Sequence, residues 1–313
     1  MLKLFFASDV HGSDVCWKKF LKVIDHFKVE IAILGGDLTG KMVIPVVKDN
    51  DKYSYSIFGR HISLTAANLK EECMKIANAG YYPYPCEKED VERLSTDKQA
   101  QIELFNRLMV QRMQQWMDLA SENFKGKSLL YVSPGNDDRL VVDEILEKSD
   151  SVIACERKLV HLPDGYDMVT CGWVNPTPWK TTREAPDEKL KSMLEELMNK
   201  AENHKKLVCN FHAPPYNSGL DTAPQLKEDF SVKVRFGGGV ELAPMGSKAV
   251  RHIIEKYQPL LGLHGHIHES AGFKRFGRTF CVNPGSEYAE GILRGYIVFL
   301  SGEKVQGHWR VAC

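Results

Sequence analysis

The stretch "LKLFFAS" at residues 2–8 decides the predicted fold, because it is a short apolar run that ends in small residues. A second run of this kind, "EIAILGG", follows at 30–36, and the segment between them carries apolar residues at helical spacing. A strand, a helix and a second strand in this order are typical of a sheet that is covered by helices. The sequence therefore predicts an α/β fold.

Further apolar runs continue this pattern along the chain, at 128–133, 168–173, 206–211 and 259–264. The clearest helix between them is predicted at 187–203, where apolar residues share one face. The last part of the chain, from residue 271 onward, predicts short strands and tight turns without helices. Parallel and antiparallel strands should therefore occur together in a mixed sheet.

Two segments are predicted as insertions into a single domain that spans residues 1–313. The first, 41–126, contains a hairpin at 43–58 and a helix at about 97–124. The second, 213–245, is rich in Pro and Gly and is predicted to be a long loop. Long ordered loops in compact domains are often functional, and the first insertion could cap a site and select substrates.

The composition is that of a soluble globular protein. Of its 313 residues 43% are hydrophobic, and 41 Lys and Arg balance 41 Asp and Glu. Neutral charge gives no global reason to expect nucleic acid or an acidic membrane as a partner, and no apolar run reaches the length of a membrane span. We expect the amino terminus to form a strand and not a signal peptide. The eight scattered cysteines predict reduced, mostly buried thiols in a cytoplasmic protein.

Polar side chains that could bind a ligand or take part in catalysis follow five of the apolar runs, next to Gly or Pro turns. They are Asp9, His11, Asp37, Asn136, Asp137, Asp138, His212, His264, His266 and His268. Each has a structural explanation by itself: a helix N-cap for an aspartate, a turn for Asn136, a core position for His212. Together they favour one site, because ligands of open α/β sheets bind outside the carboxyl ends of the strands.

This set of carboxylates, an amide and imidazoles predicts a metal site. It suits divalent Mn, Fe, Zn, Ni or Co and does not suit a structural zinc held by thiolates. The donors are too many for one ion, whereas two-metal hydrolases hold their ions about 3.5–4 Å apart. In an extended segment alternate residues point to the same side about 6.5 Å apart, so His266 and His268 could each reach a different ion.

The order of the motifs resembles that of the calcineurin-like metallophosphoesterases. D-x-H, G-D, G-N, H-x-P-P and G-H-x-H follow one another from Asp9 to His268, and the pattern continues into "NPGS" at 283–286. The resemblance implies a four-layer α/β/β/α sandwich with two mixed sheets and a dimetal site at the strand ends. It also implies phosphodiester hydrolysis by a hydroxide that bridges the two metals.

The resemblance further implies a division of the ligands between two ions. The first ion would be held by Asp9, His11, Asp37 and His268. Asp37 would bridge to the second ion, which Asn136, His212 and His266 would complete. His264 lies outside the G-H-x-H motif, and a structural role is favoured for it.

One position departs from the family pattern, which has a His where this chain has Asp137. That His is thought to protonate the leaving group or to hold the phosphate. A carboxylate beside two cations should have a lowered pKa, so Asp137 would be a poor acid and would repel a diester. Asp138 adds a second negative charge, and both aspartates stay candidate catalytic residues.

Three interpretations of this departure remain open. The enzyme could act only on esters with good leaving groups. Another group could supply the proton, with candidates His264, Tyr216, Arg183 and Lys180. Alternatively, Asp137 could bind a third group, such as a cation, a substrate amine or a hydroxyl.

Four residues are candidates for substrate binding. Arg183 could grip a phosphate and Trp179 could stack on a base, although their segment, 175–184, could equally be a packed surface loop. Tyr216 and His264 complete this set.

The leading hypothesis is a dimetal phosphodiesterase that acts on a small molecule or nucleotide. A nuclease of the same fold is the second, and the absence of a basic stripe in the sequence weighs against it. A metal-binding scaffold with weak or no catalysis is the third, because of Asp137.

Overall fold

The computed structural model describes residues 1–127 and 129–313, so Ser128, the first residue of the apolar run at 128–133, lies outside the described residues. The strands are β1 (Leu2–Ala7), β2 (Ile31–Gly35), β3 (Val43–Asp49), β4 (Lys52–Ile57), β5 (Arg60–Thr65), β6 (Tyr82–Cys86), β7 (Leu130–Ser133), β8 (Ile153–Ala154), β9 (Leu159–Leu162), β10 (Tyr166–Cys171), β11 (Leu207–Phe211), β12 (Thr222–Pro224), β13 (Leu242–Pro244), β14 (Leu261–Leu263), β15 (Gly272–Phe276), β16 (Thr279–Asn283), β17 (Arg294–Ser301) and β18 (Lys304–Ala312). The α-helices are α1 (Asp14–Phe20), α2 (Val23–Phe27), α3 (Leu69–Asn78), α4 (Lys88–Thr96), α5 (Lys98–Phe124), α6 (Val141–Lys148), α7 (Asp187–Met198) and α8 (Lys248–Tyr257).

Two six-stranded sheets form the centre of the fold. The first sheet has the order β18-β17-β1-β2-β7-β8, and the second has the order β15-β16-β14-β11-β10-β9. In the first sheet β1, β2, β7 and β8 are parallel, while β17 and β18 are antiparallel to their neighbours. In the second sheet β10, β11, β14 and β16 are parallel, between antiparallel β9 and β15. Both sheets are therefore mixed, as the sequence predicted.

Alternation of side chains along the strands produces four layers. On β1, Leu4 and Phe6 face inward and pack in one cluster with residues of the second sheet such as Met168. The intervening Phe5 and Ala7 pack on the opposite face, in a cluster with side chains of α1, α5 and α6. The far face of the second sheet packs against α7 and α8. This is the predicted α/β/β/α sandwich.

The segment 41–126 contributes a four-stranded sheet with the order β5-β4-β3-β6, and the hairpin predicted at 43–58 is formed by β3 and β4. The predicted helix at 97–124 is α5, which lies against the layer of α1. The Trp116 ring stacks on Trp17 with 4.9 Å between centroids. Arg112 of α5 donates a hydrogen bond of 2.8 Å to the carbonyl of Gly12. The helix therefore braces the loop that follows β1.

Two elements differ from the sequence prediction. The helix predicted at 187–203 ends at Met198, and a 3₁₀ helix at His204–Lys206 follows, which the Asn203 side chain caps by accepting the Lys205 N–H at 3.0 Å. The predicted loop at 213–245 contains the β12–β13 pair, and its distal part is held by backbone hydrogen bonds such as Lys233 N–H to the Gln225 carbonyl.

All eight cysteines are free thiols, and six of them are buried. Across the two described ranges, none of the helices combines the length and the apolar character needed to cross a bilayer.

Candidate metal centre

The candidate ligands lie where five parallel strands of the two sheets end. β1, β2 and β7 of the first sheet lead to Asp9, Asp37 and Asn136, whereas β11 and β14 of the second lead to His212 and His266. The two sheet edges are joined by a contact between His212 Nδ1 and the Gly35 carbonyl at 3.1 Å. The sandwich therefore brings residues together that are up to 259 positions apart, from Asp9 to His268.

The ligand atoms form two neighbouring groups. Asp9, His11 and His268 form one, and Asp37, His212 and His266 form the other, with the atoms of each group within 4.8 Å of one another. Either group could hold a metal ion. A third group combines His11 and Asp37 with Asp137.

Asp37 lies between the two groups. Its Oδ2 atom is 3.4 Å from His212 Nε2 and 3.6 Å from His11 Nε2. The other oxygen, Oδ1, accepts the backbone N–H of Asp137 at 3.0 Å. One oxygen is thus anchored to the chain, while the other faces imidazoles of both groups.

Unpartnered polar atoms test whether the residues fit a metal. His212 Nδ1 contacts the Gly35 carbonyl, which leaves Nε2 buried without a hydrogen-bond partner. Asn136 donates from Nδ2 to Asp137 Oδ1 and Thr181 Oγ1, and its Oδ1 is likewise buried and unpartnered. Buried polar atoms of native proteins are nearly always hydrogen-bonded, so two buried atoms without a hydrogen-bond partner at this edge suit the role of ligands to a bound cation.

The backbone at the site adopts a costly conformation. Positive φ occurs at Asp9 (59°), His11 (40°), Asp37 (50°) and His266 (67°). Such values are uncommon for residues other than Gly and cluster at functional sites, where the surrounding structure enforces them. The strand-end turns are therefore shaped to aim these side chains.

Close packing explains two motif glycines. A Cβ atom at Gly135 would lie 2.3 Å from Asp37 Oδ1 and 2.8 Å from His212 Nε2. A Cβ atom at Gly265 would lie 2.4 Å from Asp9 Oδ2. Both positions allow the backbone to approach the candidate ligands.

Proton affinities in the site reflect burial and the two carboxylates. Burial opposes the charged form of His212, but the charges of Asp37 and Asp9 raise its pKa to about 10. Burial lowers the pKa of His266 to about 4 and that of His11 well below its usual value. The site thus combines anionic carboxylates with two neutral imidazoles, His11 and His266, whose lone pairs are available, while a divalent cation would have to displace the proton of His212.

Asp137 has a partner that the sequence analysis did not identify. Its Oδ2 lies 2.7 Å from Lys41 Nζ and 3.8 Å from His11 Nδ1. Burial and the nearby Asp37 raise the pKa of Asp137 to about 6, which the Lys41 charge opposes. The sequence analysis predicted a lowered pKa for Asp137 because it assumed two bound cations nearby, whereas burial and Asp37 raise this pKa. Asp137 is still mostly ionised at pH 7.

The contacts of Asp138 are those of a structural residue and do not favour the predicted catalytic role. It is fully buried and accepts four hydrogen bonds of 2.7–2.9 Å, from Leu38 N, Thr39 N, Thr39 Oγ1 and Gly135 N. Since both oxygens are occupied, Asp138 ties the loop after β7 to the loop after β2.

Arg183 does not reach a substrate, which corrects its predicted role. Only 1% of the residue is exposed. Its guanidinium donates to the carbonyls of Gly135 and Asp138 and to the carboxylate of Asp143. Arg183 therefore clamps the segment that carries Asn136.

His264 is also directed away from solvent. It is fully buried, and its Nδ1 lies 2.8 Å from the Phe211 carbonyl and 3.1 Å from that of Ala213. A contact with substrate is excluded by this burial, and the structural interpretation fits.

The other substrate candidates are accessible. Trp179 is 63% exposed, two residues before Thr181, which hydrogen-bonds Asn136. Lys180 is exposed, and Tyr216 is half-buried beside Lys248, whose Nζ is 5.5 Å from its ring. No described contact joins Tyr216 to the candidate ligands.

Sequence reasoning missed four residues of the site: Lys41, Thr181, Ser286 and Tyr288. Ser286 Oγ donates to the Asp9 carbonyl at 2.6 Å, and the Tyr288 ring lies 4.7 Å from that of His11. Lys41 follows the G-D motif by four residues, and Ser286 ends "NPGS", so both had a positional signal. Thr181 and Tyr288 had none.

No protein-family model matches the chain. An uncharacterized protein of Methanocaldococcus jannaschii is 32% identical over 154 residues, which cover 48% of this chain and 61% of that protein. The chain thus matches less than two thirds of the length of this curated relative.

A solved crystal structure is similar with a TM-score of 0.53 and 16% identity over 94% of both chains, which supports the fold alone. The structure of an archaeal phosphodiesterase matches with a TM-score of 0.36 and 12% identity, and the match covers 100% of both chains. A likeness of that size has no bearing on the activity of this chain.

Proposed function

We propose that the protein is a metal-dependent phosphoesterase that hydrolyses small phosphodiesters. The observation that carries the proposal is the pair of ligand groups around Asp37, in which His212 Nε2 and Asn136 Oδ1 are buried without partners. Two adjacent cation sites at the open edge of a sheet are the arrangement that phosphoryl transfer by two metals requires.

The proposed ligand assignment follows the two groups. Asp9, His11 and His268 would hold one ion, and His212, His266 and Asn136 would hold the other. Asp37 would contribute to both, since its Oδ2 faces imidazoles of both groups. The donors suit Mn, Fe, Zn, Ni or Co.

When bound, two divalent cations lower the pKa of water and neutralise charge on phosphoryl oxygens. The chain's own residues fix the geometry. His266 N–H donates to both oxygens of Asp9 at 3.1 Å, and Asp138 and Arg183 hold the loop of Asn136. In the reaction a P–O bond to water oxygen forms, the bond to the leaving oxygen breaks, and a proton from water ends on the released alcohol.

A small substrate is supported by the cleft beside His268. This cleft has a volume of about 410 Å³, and its lining includes Ser286 and Tyr288 together with both cationic and anionic side chains: Arg294, Arg310, Glu269, Glu287 and Glu290. Its volume falls in the range of sites for small molecules. A second cleft of about 380 Å³, beside Arg251 and Lys274, contains none of the candidate ligands.

The test is hydrolysis of bis(p-nitrophenyl) phosphate by metal-stripped protein to which Mn²⁺ is added back. Turnover should depend on Mn²⁺ and should disappear in Asn136→Ala. Asn106→Ala is the matched control, because its amide oxygen is also buried and unpartnered but lies on α5. A rate gain in Asp137→His would show that leaving-group protonation limits the reaction.

Other results would favour the remaining hypotheses. Mn²⁺ uptake without turnover of this diester or of other small phosphoesters would indicate a metal-binding scaffold. Cleavage of single-stranded DNA in preference to small diesters would indicate a nuclease. Failure to bind any divalent cation would refute the proposal.

A further inference from the structure

Lys41 is a cation at the candidate metal centre, and it has no role in the proposed function described above. It follows β2 by six residues, and its side chain is 48% exposed. The ammonium is also fixed at its inner end by Asp137 at 2.7 Å. A lysine that is both held and partly exposed, next to clustered ligand atoms, differs from an ordinary surface lysine.

The backbone that carries Lys41 is tightly positioned. Gly40 N–H donates to the Tyr82 hydroxyl at 2.8 Å. A Cβ atom at Gly40 would lie 2.2 Å from the Gly80 carbonyl oxygen, so the two backbones touch. Both partners belong to the segment 41–126, whose packing therefore determines where the Lys41 side chain begins.

The charge of Lys41 acts on the site. Burial lowers the pKa of His11 and the Lys41 charge adds to this effect, and the same charge helps to lower the pKa of Asp37. An isolated Asp137 carboxylate at this position would repel a phosphate. The ammonium neutralises this carboxylate, and of its three N–H donors one suffices for the contact with Asp137. Within residues 1–127 and 129–313, that carboxylate is its one ion-pair partner closer than 4.0 Å.

We propose that Lys41, held by Asp137, donates hydrogen bonds to the phosphoryl oxygens of the substrate. This inference rests on the proposed phosphoesterase function and adds a specificity residue to it. The Lys41–Asp137 pair would let the site accept a phosphoester although a carboxylate lies beside the ligands.

The experiment measures the affinity of Mn²⁺-loaded protein for inorganic phosphate by calorimetry, with Mn²⁺ affinity measured separately. Lys41→Met should weaken phosphate binding by about tenfold or more, the effect expected for losing a hydrogen bond to a charged group. Mn²⁺ affinity should not fall, because Lys41→Met removes a positive charge beside the candidate ligands, and Lys41→Arg should retain most of the phosphate affinity. Lys48→Met is the matched control, because Lys48 is similarly exposed and paired with Glu87 at 3.3 Å.

A double variant separates direct contact from charge masking. If Lys41 only masks Asp137, phosphate affinity should return in Lys41→Met combined with Asp137→Asn, and direct contact would be refuted. If Lys41 binds phosphate, the double variant should remain weak. Phosphate affinity equal to wild type in Lys41→Met, or no phosphate binding by wild type, would also overturn the inference.

Failure of the proposed function gives a different result. Lys41-dependent phosphate binding without hydrolysis of any ester would leave Lys41 as a phosphate ligand and would remove the phosphoesterase assignment. Hydrolysis that is unaffected by Lys41→Met, with unchanged phosphate affinity, would keep the phosphoesterase assignment and would refute the role of Lys41 as a phosphate ligand.

Discussion

His212 Nε2 lies 3.4 Å from Asp37 Oδ2, although His212 follows a strand of the second sheet and Asp37 follows a strand of the first. The contact joins the two halves of the sandwich at their carboxyl edge. Repulsion between lone pairs makes this proximity favourable only with a proton or a cation between the two atoms. The candidate metal centre therefore depends on how the sheets face each other.

Replacing His212 by Ala should abolish binding at one of the two proposed metal sites, because it removes the Nε2 atom that faces Asp37 and leaves His266 as the one imidazole named for that group. Calorimetric titration with Mn²⁺ should show one ion fewer per chain. His252→Ala, on the exposed face of α8, is the control and should bind as wild type. Unchanged stoichiometry in His212→Ala would contradict the ligand assignment.

Gly265→Ala should weaken metal binding without changing any ligand. The added Cβ would lie 2.1 Å from Ser8 Oγ and 2.4 Å from Asp9 Oδ2, so Asp9 must move. We expect a loss of about 1–3 kcal/mol in the free energy of unfolding, typical of overpacking, and a lower Mn²⁺ affinity. Gly307→Ala is the control, since its Cβ would approach Phe299 only to 3.8 Å. Wild-type behaviour in Gly265→Ala would show that the turn tolerates a side chain.

Asp138→Ala should act mainly on stability. It would leave three buried N–H groups, those of Leu38, Thr39 and Gly135, without their acceptor. Each such loss costs about 1–3 kcal/mol, so urea unfolding should shift by several kcal/mol in total. Asp51→Ala, in the exposed β3–β4 turn, should be neutral. A stable Asp138→Ala protein that binds metal but has lost all turnover would restore the catalytic interpretation.

Glu156 should make stability depend on pH. Burial raises its pKa from 4.5 to about 7, against the hydrogen bond from Gly172 N–H. The folded protein therefore holds this proton more tightly than the unfolded chain, and the stability it contributes is lost as pH rises from 4.5 through 7. Each pKa unit corresponds to about 1.4 kcal/mol, so the loss is on the order of 3 kcal/mol.

Glu156→Gln keeps the neutral form at every pH and tests this expectation. The variant should be more stable than wild type above pH 7 and should lack this part of the pH dependence between pH 4.5 and 7. Urea unfolding at several pH values measures both effects, with exposed Glu122→Gln as the control. Parallel stability curves for Glu156→Gln and wild type would refute the assignment.

Local sequence patterns predicted the larger features because they encode burial directly. Alternation on β1 determines that Leu4 and Phe6 face one layer while Phe5 faces another. The proximity of the polar residues that come after the apolar runs was also predictable, because the strands of one parallel sheet end at a common edge. The ordered motifs therefore predicted the architecture and the neighbourhood of the candidate ligands.

The sequence alone determined which polar groups lie at the strand ends, whereas the tertiary structure decided which of these groups are available to bind a ligand. Asp138 and Arg183 are buried and hydrogen-bond groups of neighbouring loops, and His264 Nδ1 contacts the Phe211 carbonyl, so these residues hold the site together. Lys41 meets Asp137 across 96 positions of sequence. Such pairings arise from the packing of loops and of the segment 41–126, which residue type and periodicity do not specify.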